Sequence, residues 1–363
     1  MKTTAAVLHN PDGQLSLETV TLDEPRDDEI IVRVEACGIC QMDIEARQML
    51  PTPSVLGHEG AGIIEQVGKG VRDLRLGQRV IMSYAWCGHC PQCRDNKPYI
   101  CDESWSINFS GTRFDGSATL FLDQQPLTAA FFQQSSFARH VITPAQNVVA
   151  VDIDDIPPHF LAALPCGVLT GAGTIANTLN VQRGKGLIVF GAGTVGLSAI
   201  MAARIRGAEP IFAVDIHQDR LDLATELGAT HVINALESDV SDEVHQCFPT
   251  GVHYAVETSS NAHSFNAAID CVEIGGQVAI TSLPHPMEDF SFQPYQFYTK
   301  AASLHAVSVG SAVAKNFIPQ MLRWHRDGQF PFDKLVTSYA FEDINQACAD
   351  VGSGKTVKAV LTM

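Results

Sequence analysis

The sequence predicts an α/β protein of two domains, the first mainly β and the second a doubly wound parallel sheet inserted into it. Three observations predict this. The chain has 363 residues, about twice the usual length of one domain, so two cores are expected. Up to about residue 145 it alternates like strands and turns, whereas from Leu187 short apolar runs are followed by amphipathic stretches. Where the pattern changes stands a glycine triplet, Gly191-Ala-Gly193-Thr-Val-Gly196.

Taken in order, residues 29–35, 61–67 and 78–82 are β-rich runs separated by Gly-rich links and read as strands. Residues 187–190, 211–215 and 277–280 read as strands of a parallel sheet, with helical stretches after the first two. The tail returns to mixed character: a helix over 315–326, a turn at Phe330-Pro-Phe, and a helix beginning near Phe341-Glu-Asp-Ile. The tail therefore completes the first domain.

Composition excludes several classes. With 45% hydrophobic and 18% charged residues the chain should be globular and soluble. A formal charge of −16 argues against nucleic acid or anionic lipid as partners, since both need clustered Lys and Arg. The N-terminus carries polar residues and a Pro-Asp-Gly turn before any apolar region of secretory length develops, so no signal peptide is expected. The uncharged stretch 156–182 is expected to be broken by prolines at 157, 158 and 165, and 187–203 is shorter than the ~20 residues a membrane span needs. Ten cysteines without a secretory signal point to a reducing, cytoplasmic compartment, where thiols serve metals or catalysis.

Cys87-Gly-His-Cys90-Pro-Gln-Cys93 followed by Cys101 sets four thiols within fifteen positions. Two Cys-x-x-Cys steps suit a tetrahedral structural zinc with no open position for substrate. Two disulfides or a redox dithiol are the competing readings, and His89 is expected as a solvated loop residue.

A second constellation is dispersed. Cys40 in Gly38-Ile-Cys-Gln-Met-Asp43, His58-Glu59 in Leu56-Gly-His-Glu-Gly60, and Cys166 in Leu164-Pro-Cys-Gly are each ambiguous alone. Together two thiolates and one imidazole suit a catalytic zinc with a fourth position left for water or alcohol. Such a metal acidifies a bound hydroxyl and polarises a carbonyl. Cys37, Cys247, Cys271 and Cys348 show that cysteines without an evident role also occur here.

The glycine triplet follows an apolar strand and opens a helix-like segment, and Asp215 ends the next strand about twenty residues on. Glycines there let a pyrophosphate approach a helix N-terminus, and a carboxylate accepts the ribose 2′-hydroxyl while repelling a 2′-phosphate. NAD is therefore expected over NADP. A strand-end cap is the alternative role for Asp215.

These residues, with Asn108-Phe-Ser-Gly-Thr-Arg113, Asp115-Gly-Ser117, Ser135-Ser-Phe-Ala138 and Thr170-Gly-Ala-Gly173, make the chain resemble the zinc-dependent medium-chain alcohol dehydrogenases over nearly its whole length. It looks most like the bacterial aryl-alcohol (benzyl alcohol) dehydrogenases. The resemblance implies a GroES-like catalytic domain over 1–165 and 307–363, carrying a structural zinc lobe at about 84–102, and a Rossmann domain over 166–306, with substrate in the cleft between them. It implies two zinc ions, the catalytic one on Cys40, His58 and Cys166, with Asp43 behind His58 and Glu59 beneath the metal. Thr170 would lie against the nicotinamide, Gly191, Gly193, Thr194, Val195 and Gly196 would cradle the phosphates, Arg220 would lie near the adenosine ribose, and Lys358 near the pyrophosphate. Met42, Ser83, Phe131, Phe132 and Leu283 would line an alcohol channel, though adjacent phenylalanines are also ordinary core. A homodimer or homotetramer acting on a small alcohol or aldehyde is expected.

One departure stands out. The family normally places Ser or Thr two residues after the first cysteine ligand to relay the alcohol proton, and here that residue is Met42. A thioether has nothing to donate. Gln41 replaces the basic residue often found after the ligand, the downstream relay position is Glu45, and the loop from Cys40 to His58 is short. Three activities follow as candidates: an NAD-linked alcohol dehydrogenase whose proton leaves by water or Glu45, a reductase of enals or iminium ions, and a zinc-containing binding protein that has lost the chemistry.

Overall fold

The computed structural model describes residues 1–363 except 153–154, 283–290 and 292–293. The chain divides into two compact units, one comprising Met1–Cys166, Val313–Pro319 and Asp333–Met363, the other Gly167–Ala312 and Gln320–Phe332.

The first unit is built on two sheets. In one, Lys2–Leu8 pairs antiparallel with Leu15–Leu22 and with Ser54–Val55. In the other, the order runs Val148–Ala150, Arg79–Met82, Glu59–Val67, Glu29–Gly38, Lys358–Thr362, Val336–Ala340. The strands expected at 29–35, 61–67 and 78–82 are thus present as Glu29–Gly38, Glu59–Val67 and Arg79–Met82. The last strand of the chain lies antiparallel to Glu29–Gly38, with Val360 opposite Gly38. Residues more than three hundred positions apart thereby share one sheet, and Val32, Val34, Phe137, Phe341, Ala359 and Leu361 share one apolar core.

The second unit is a six-stranded sheet, all parallel, ordered His231–Asn234, Ile211–Asp215, Leu187–Phe190, Val252–Glu257, Val272–Ile280, Ser303–Ala306. The strands 187–190 and 211–215 fall where the sequence places them. The strand expected at 277–280 begins earlier, at Val272, and four helices, Thr194–Arg206, Gln218–Leu227, Val240–Cys247 and Ala262–Cys271, connect the first five strands. The tail helix spans Ala314–Arg326, and a short helical turn at Phe341–Asp343 leads into Ile344–Gly352.

One expectation is corrected. The stretch 156–182 is not broken by its prolines but forms a helical run, Pro158–Thr178, long and apolar enough to cross a membrane by length and composition. Pro158 sits in the first turn, where no amide partner is needed. Pro165 falls in a widened π-helical stretch, Leu164–Val168, which accommodates its missing N–H. Of the run's most apolar window 78% is buried within the protein, as in a core helix.

Candidate active site

Cys40, His58 and Cys166 arrive on three different elements of the first unit. Cys40 caps the helix Gln41–Ala46, His58 immediately precedes the strand Glu59–Val67, and Cys166 lies in the π-helical stretch. His58 Nε2 stands 3.3 Å from Cys166 Sγ, and the Cys40 and Cys166 sulfurs are 3.9 Å apart. With Glu59 they form a cluster whose ligand atoms all lie within 4.8 Å of one another. A tetrahedral zinc with bonds of ~2.3 Å to sulfur and ~2.0 Å to nitrogen requires sulfur–sulfur and sulfur–nitrogen spacings of roughly 3.8 and 3.5 Å, so the donor set fits that ion. The thiol of Cys166 hydrogen-bonds Cys40 and, with His58 and Lys358 nearby, holds the Cys40 thiol well below its ordinary range despite burial. A sulfur that loses its proton readily is what a metal ligand needs.

Asp43 organises this cluster from behind. Its Oδ2 accepts the Cys40 amide at 2.9 Å, while Oδ1 takes His58 Nδ1 at 2.9 Å and the Gly57 amide at 3.1 Å. The carboxylate is 1% exposed. It therefore fixes the helix that carries one ligand and the ring plane of the next, leaving Nε2 as the ligating nitrogen.

Glu59 is wholly buried, and burial pushes its carboxyl up to about 7 against the pull of the Lys358 ammonium with which it pairs. Gly38 is glycine because a side chain there would strike this carboxylate: an added Cβ would lie 2.2 Å from Glu59 Oε2. Lys358 makes contacts of its own within the first unit. Its ammonium, expected near a pyrophosphate, is buried against Glu59 and donates to the Ile39 carbonyl at 3.2 Å.

The residues read as a substrate channel separate. Phe132 is half-buried and stacks on the His58 ring, centroids 4.6 Å apart and planes 26° from parallel. Phe131 is 0% exposed and meets His58 edge-on, and the Ser83 hydroxyl, also buried, donates to the Pro165 carbonyl at 3.3 Å. Met42 packs against the apolar core of the first unit. Leu283 lies outside the described residues. Two aromatic residues were not singled out from sequence. Phe109 contacts both Phe131 and Phe132, and Trp105 stacks on Phe109 at 4.2 Å. Their spacing of four on the helix Ser104–Phe109 was the available signal. Gln134 gave none, yet this buried side chain donates to the His58 and Ser83 carbonyls and accepts the Gly60 amide, holding the backbone on both sides of Glu59.

The four cysteines of the lobe converge as the spacing implies. Cys87 and Cys93 sulfurs are 4.0 Å apart, Cys90 and Cys101 3.9 Å, again matching a tetrahedral zinc. Backbone amides of Cys90, Cys93 and His89 point at these sulfurs, at 3.3, 3.4 and 3.5 Å. Against burial, such amides lower the Cys90 thiol to about 6. His89 is exposed and pairs with Glu103.

In the second unit Gly191 adopts φ +91°, a left-handed conformation that favours glycine. A Cβ on Gly196 would fall 1.8 Å from the Gly191 carbonyl, whereas one on Gly193 would meet nothing within 4 Å. The turn is closed on itself and open at its middle glycine, where Thr194 and Val195 begin the helix Thr194–Arg206. Asp215 is 8% exposed; it accepts the amides of Ala192, Ile216 and His217, and Arg220 lies 4.0 Å away. It is thus a strand-end cap tied to the glycine turn. Thr170 lies in the buried helix Leu169–Gly173.

Comparison with known proteins places this geometry. Residues 26–153 match the alcohol dehydrogenase GroES-like domain, and residues 194–326 the zinc-binding dehydrogenase family. A curated relative, the geraniol dehydrogenase of Castellaniella defragrans, is 38% identical over 361 residues, 98% of this chain and 96% of its own. The crystal structure of an alcohol dehydrogenase zinc-binding domain protein from Burkholderia ambifaria is 40% identical with a TM-score of 0.97, covering 100% of this chain and 99% of its own. That of benzyl alcohol dehydrogenase from Acinetobacter calcoaceticus is 37% identical with a TM-score of 0.96 over the same shares. A GroES-like unit bearing one thiol–imidazole cluster and one four-thiol cluster, joined to a parallel-sheet dinucleotide fold and matched over nearly its whole length, makes the chain an alcohol dehydrogenase of the zinc-binding dehydrogenase family.

Proposed function

We propose that this alcohol dehydrogenase interconverts a primary aromatic or allylic alcohol and its aldehyde with NAD, holding one zinc on Cys40, His58 and Cys166 and a second on the four-cysteine lobe. The observation that carries the reading is the Phe132 ring lying flat on the His58 imidazole, backed by Phe109 and Trp105. A flat unsaturated substrate suits such aromatic faces. The relatives named geraniol and benzyl alcohol dehydrogenase support it. When bound, a zinc at the first cluster acidifies an alcohol hydroxyl and polarises an aldehyde carbonyl, and a nicotinamide carries the hydride.

The chain's own residues do the rest. Asp43 keeps His58 in the ligating tautomer and Cys40 in place. Asp215, with both oxygens held by backbone amides, presents a fixed negative charge beside the glycine turn and favours NAD over NADP. Met42 supplies no proton acceptor of use, so the alcohol proton leaves by water or by the exposed Glu45. Six of the ten cysteines gather in the two clusters, where only reduced thiols can ligate a metal, and a reducing cytoplasmic setting suits them. A homodimer or homotetramer is favoured by the sheet edge at Ser303–Ala306, near which Ile274, Tyr295 and Tyr298 stand more than three-quarters exposed.

The test is a steady-state screen with NAD and NADP over benzylic, allylic and aliphatic alcohols, aldehydes and enals. NADH formation from benzylic or allylic alcohols is expected. No alcohol turnover, with NADH consumed on enals alone, would replace this reading by the reductase.

A further inference from the structure

Where the strand order of the second unit reverses, between Leu187–Phe190 and Val252–Glu257, the carboxyl ends of the strands border the crevice in which open α/β sheets take their ligands. Glu257 ends its strand there, in register with Phe190, and is 0% exposed. Among the described residues its side-chain partners are neutral. Oε1 accepts the Ser259 amide at 2.7 Å and the Ser259 hydroxyl, and Oε2 accepts the Ser282 hydroxyl at 3.2 Å. Ser282 Oγ also accepts the Ser260 amide at 3.1 Å. One carboxylate thus ties the loop after Val252–Glu257 to the loop after Val272–Ile280.

The tie extends to the glycine turn. Thr258 Oγ1 donates to the Phe190 carbonyl at 2.8 Å and the Gly191 carbonyl at 3.1 Å. An added Cβ on Gly191 would lie 2.5 Å from that hydroxyl, while the position above Gly193 is empty. The loop that Glu257 anchors therefore backs the turn from behind and leaves its front open. A buried carboxylate is costly unless its oxygens are hydrogen-bonded, and among the described residues its side-chain hydrogen bonds go to the loops that rim the crevice.

We propose that Glu257 is a positioning residue for the dinucleotide: through Ser259, Ser282 and Thr258 it holds the nucleotide crevice in its binding shape. This rests on the NAD reading above. It acts without touching the reacting atoms, so its signature is a change in nucleotide affinity rather than in turnover. Glu257→Gln is isosteric but removes the charge and, with its oxygen kept on the Ser259 amide, makes the Ser282 hydroxyl accept where it donated; exchanging hydrogen bonds to a charged group for neutral ones corresponds to about a tenfold change in an equilibrium.

The test uses the full-length zinc-loaded protein and NAD as probe. Calorimetry should give a Kd for NAD about tenfold weaker in Glu257→Gln, KM for NAD should rise with it, and kcat should fall far less than KM rises. Thr258→Val should weaken NAD in the same direction with unchanged zinc content, while Thr258→Ser, which keeps the hydroxyl, should restore parental affinity. A folded Glu257→Gln that binds NAD as the parent does overturns the proposal. If Glu257→Gln does not fold, parental Kd values in both Thr258→Val and Ser282→Ala overturn it instead. A parent that binds neither NAD nor NADP overturns it together with the cofactor reading, whereas a parent that binds and variants that match it overturn this proposal alone.

Discussion

Replacing Asp43 by Asn should separate the two zinc sites proposed above. The parent carboxylate receives three donors: the Cys40 amide on Oδ2, and His58 Nδ1 and the Gly57 amide on Oδ1. An Asn side chain has one acceptor oxygen and one NH2 donor. If the oxygen faces His58 and Gly57, the NH2 group meets the Cys40 amide donor to donor; if it faces Cys40, the NH2 group meets the other two. Either way at least one hydrogen bond to a charged group is lost in a site 1% exposed, at about 1.5–3 kcal/mol. Because Asp43 orients a ligand from behind, that cost falls on metal affinity, and a 10–100-fold weaker catalytic zinc is expected. The four-cysteine lobe shares no hydrogen bond with Asp43 and should keep its ion. Titration with a chromophoric zinc chelator should therefore show one parental and one weakened class of zinc per chain. An Asn variant that keeps both zinc classes at parental affinity would refute the orienting role, and parallel loss from both would refute their independence.

Other perturbations reach other parts of the argument. Met42→Thr, which restores a hydroxyl where the chain has a thioether, should raise kcat for alcohol oxidation by about tenfold or more; no gain would mean the proton already has an efficient route. Asp215→Ser should reduce the preference for NAD over NADP by at least about tenfold, measured as the ratio of kcat/KM values, because it removes a carboxylate that repels a 2′-phosphate. Burial holds the imidazoles of His140, His159 and His253 below their ordinary range. Such groups take a proton more readily in the unfolded chain, so their stabilisation is whole above the unfolded pKa of about 6.5 and declines as pH falls below it. The urea midpoint should therefore drop between about pH 7.5 and pH 5, less so in a variant with all three replaced by Asn, and an equal drop in both would sink the assignment.

The parallel sheet was legible at its centre, where Leu187–Phe190 and Ile211–Asp215 are buried on both faces and read as short apolar runs, whereas the edge strand Ser303–Ala306 is exposed and gives no such signal. The helices Val240–Cys247 and Ala262–Cys271 escaped because their sequences mix small and polar residues, and only the burial of their few apolar residues, Val240 and Val244 in one and Phe265 and Ile269 in the other, in the core of the second unit selects the helix. Pro158–Thr178 escaped for the opposite reason. Prolines are read locally as breaks, but one opens the first turn and another sits in a widened turn, so packing overrides the local signal.

The site shows the same division with sharper consequences. Thiols and imidazoles announce themselves by type, so Cys40, His58, Cys166 and the lobe were visible. What sets their properties was not: Gln134 binds backbone atoms, which carry no sequence signature, and Lys358 is a cation whose partner lies nearly three hundred positions away. From sequence a lysine near the end of a dinucleotide-binding chain is naturally given to the phosphates. In the fold its strand lies beside Glu29–Gly38, which draws the ammonium under the cluster to Glu59. Burying Glu59 alone would favour its protonated form, and the buried cation opposes this. Lys358→Met should therefore leave Glu59 neutral beneath Cys40, His58 and Cys166. Removing that negative charge from beneath a divalent metal site should weaken zinc there, while Lys358→Arg preserves it. If Lys358→Met instead leaves zinc affinity intact and weakens NAD tenfold or more, the phosphate assignment is restored and the buried pair is no more than packing.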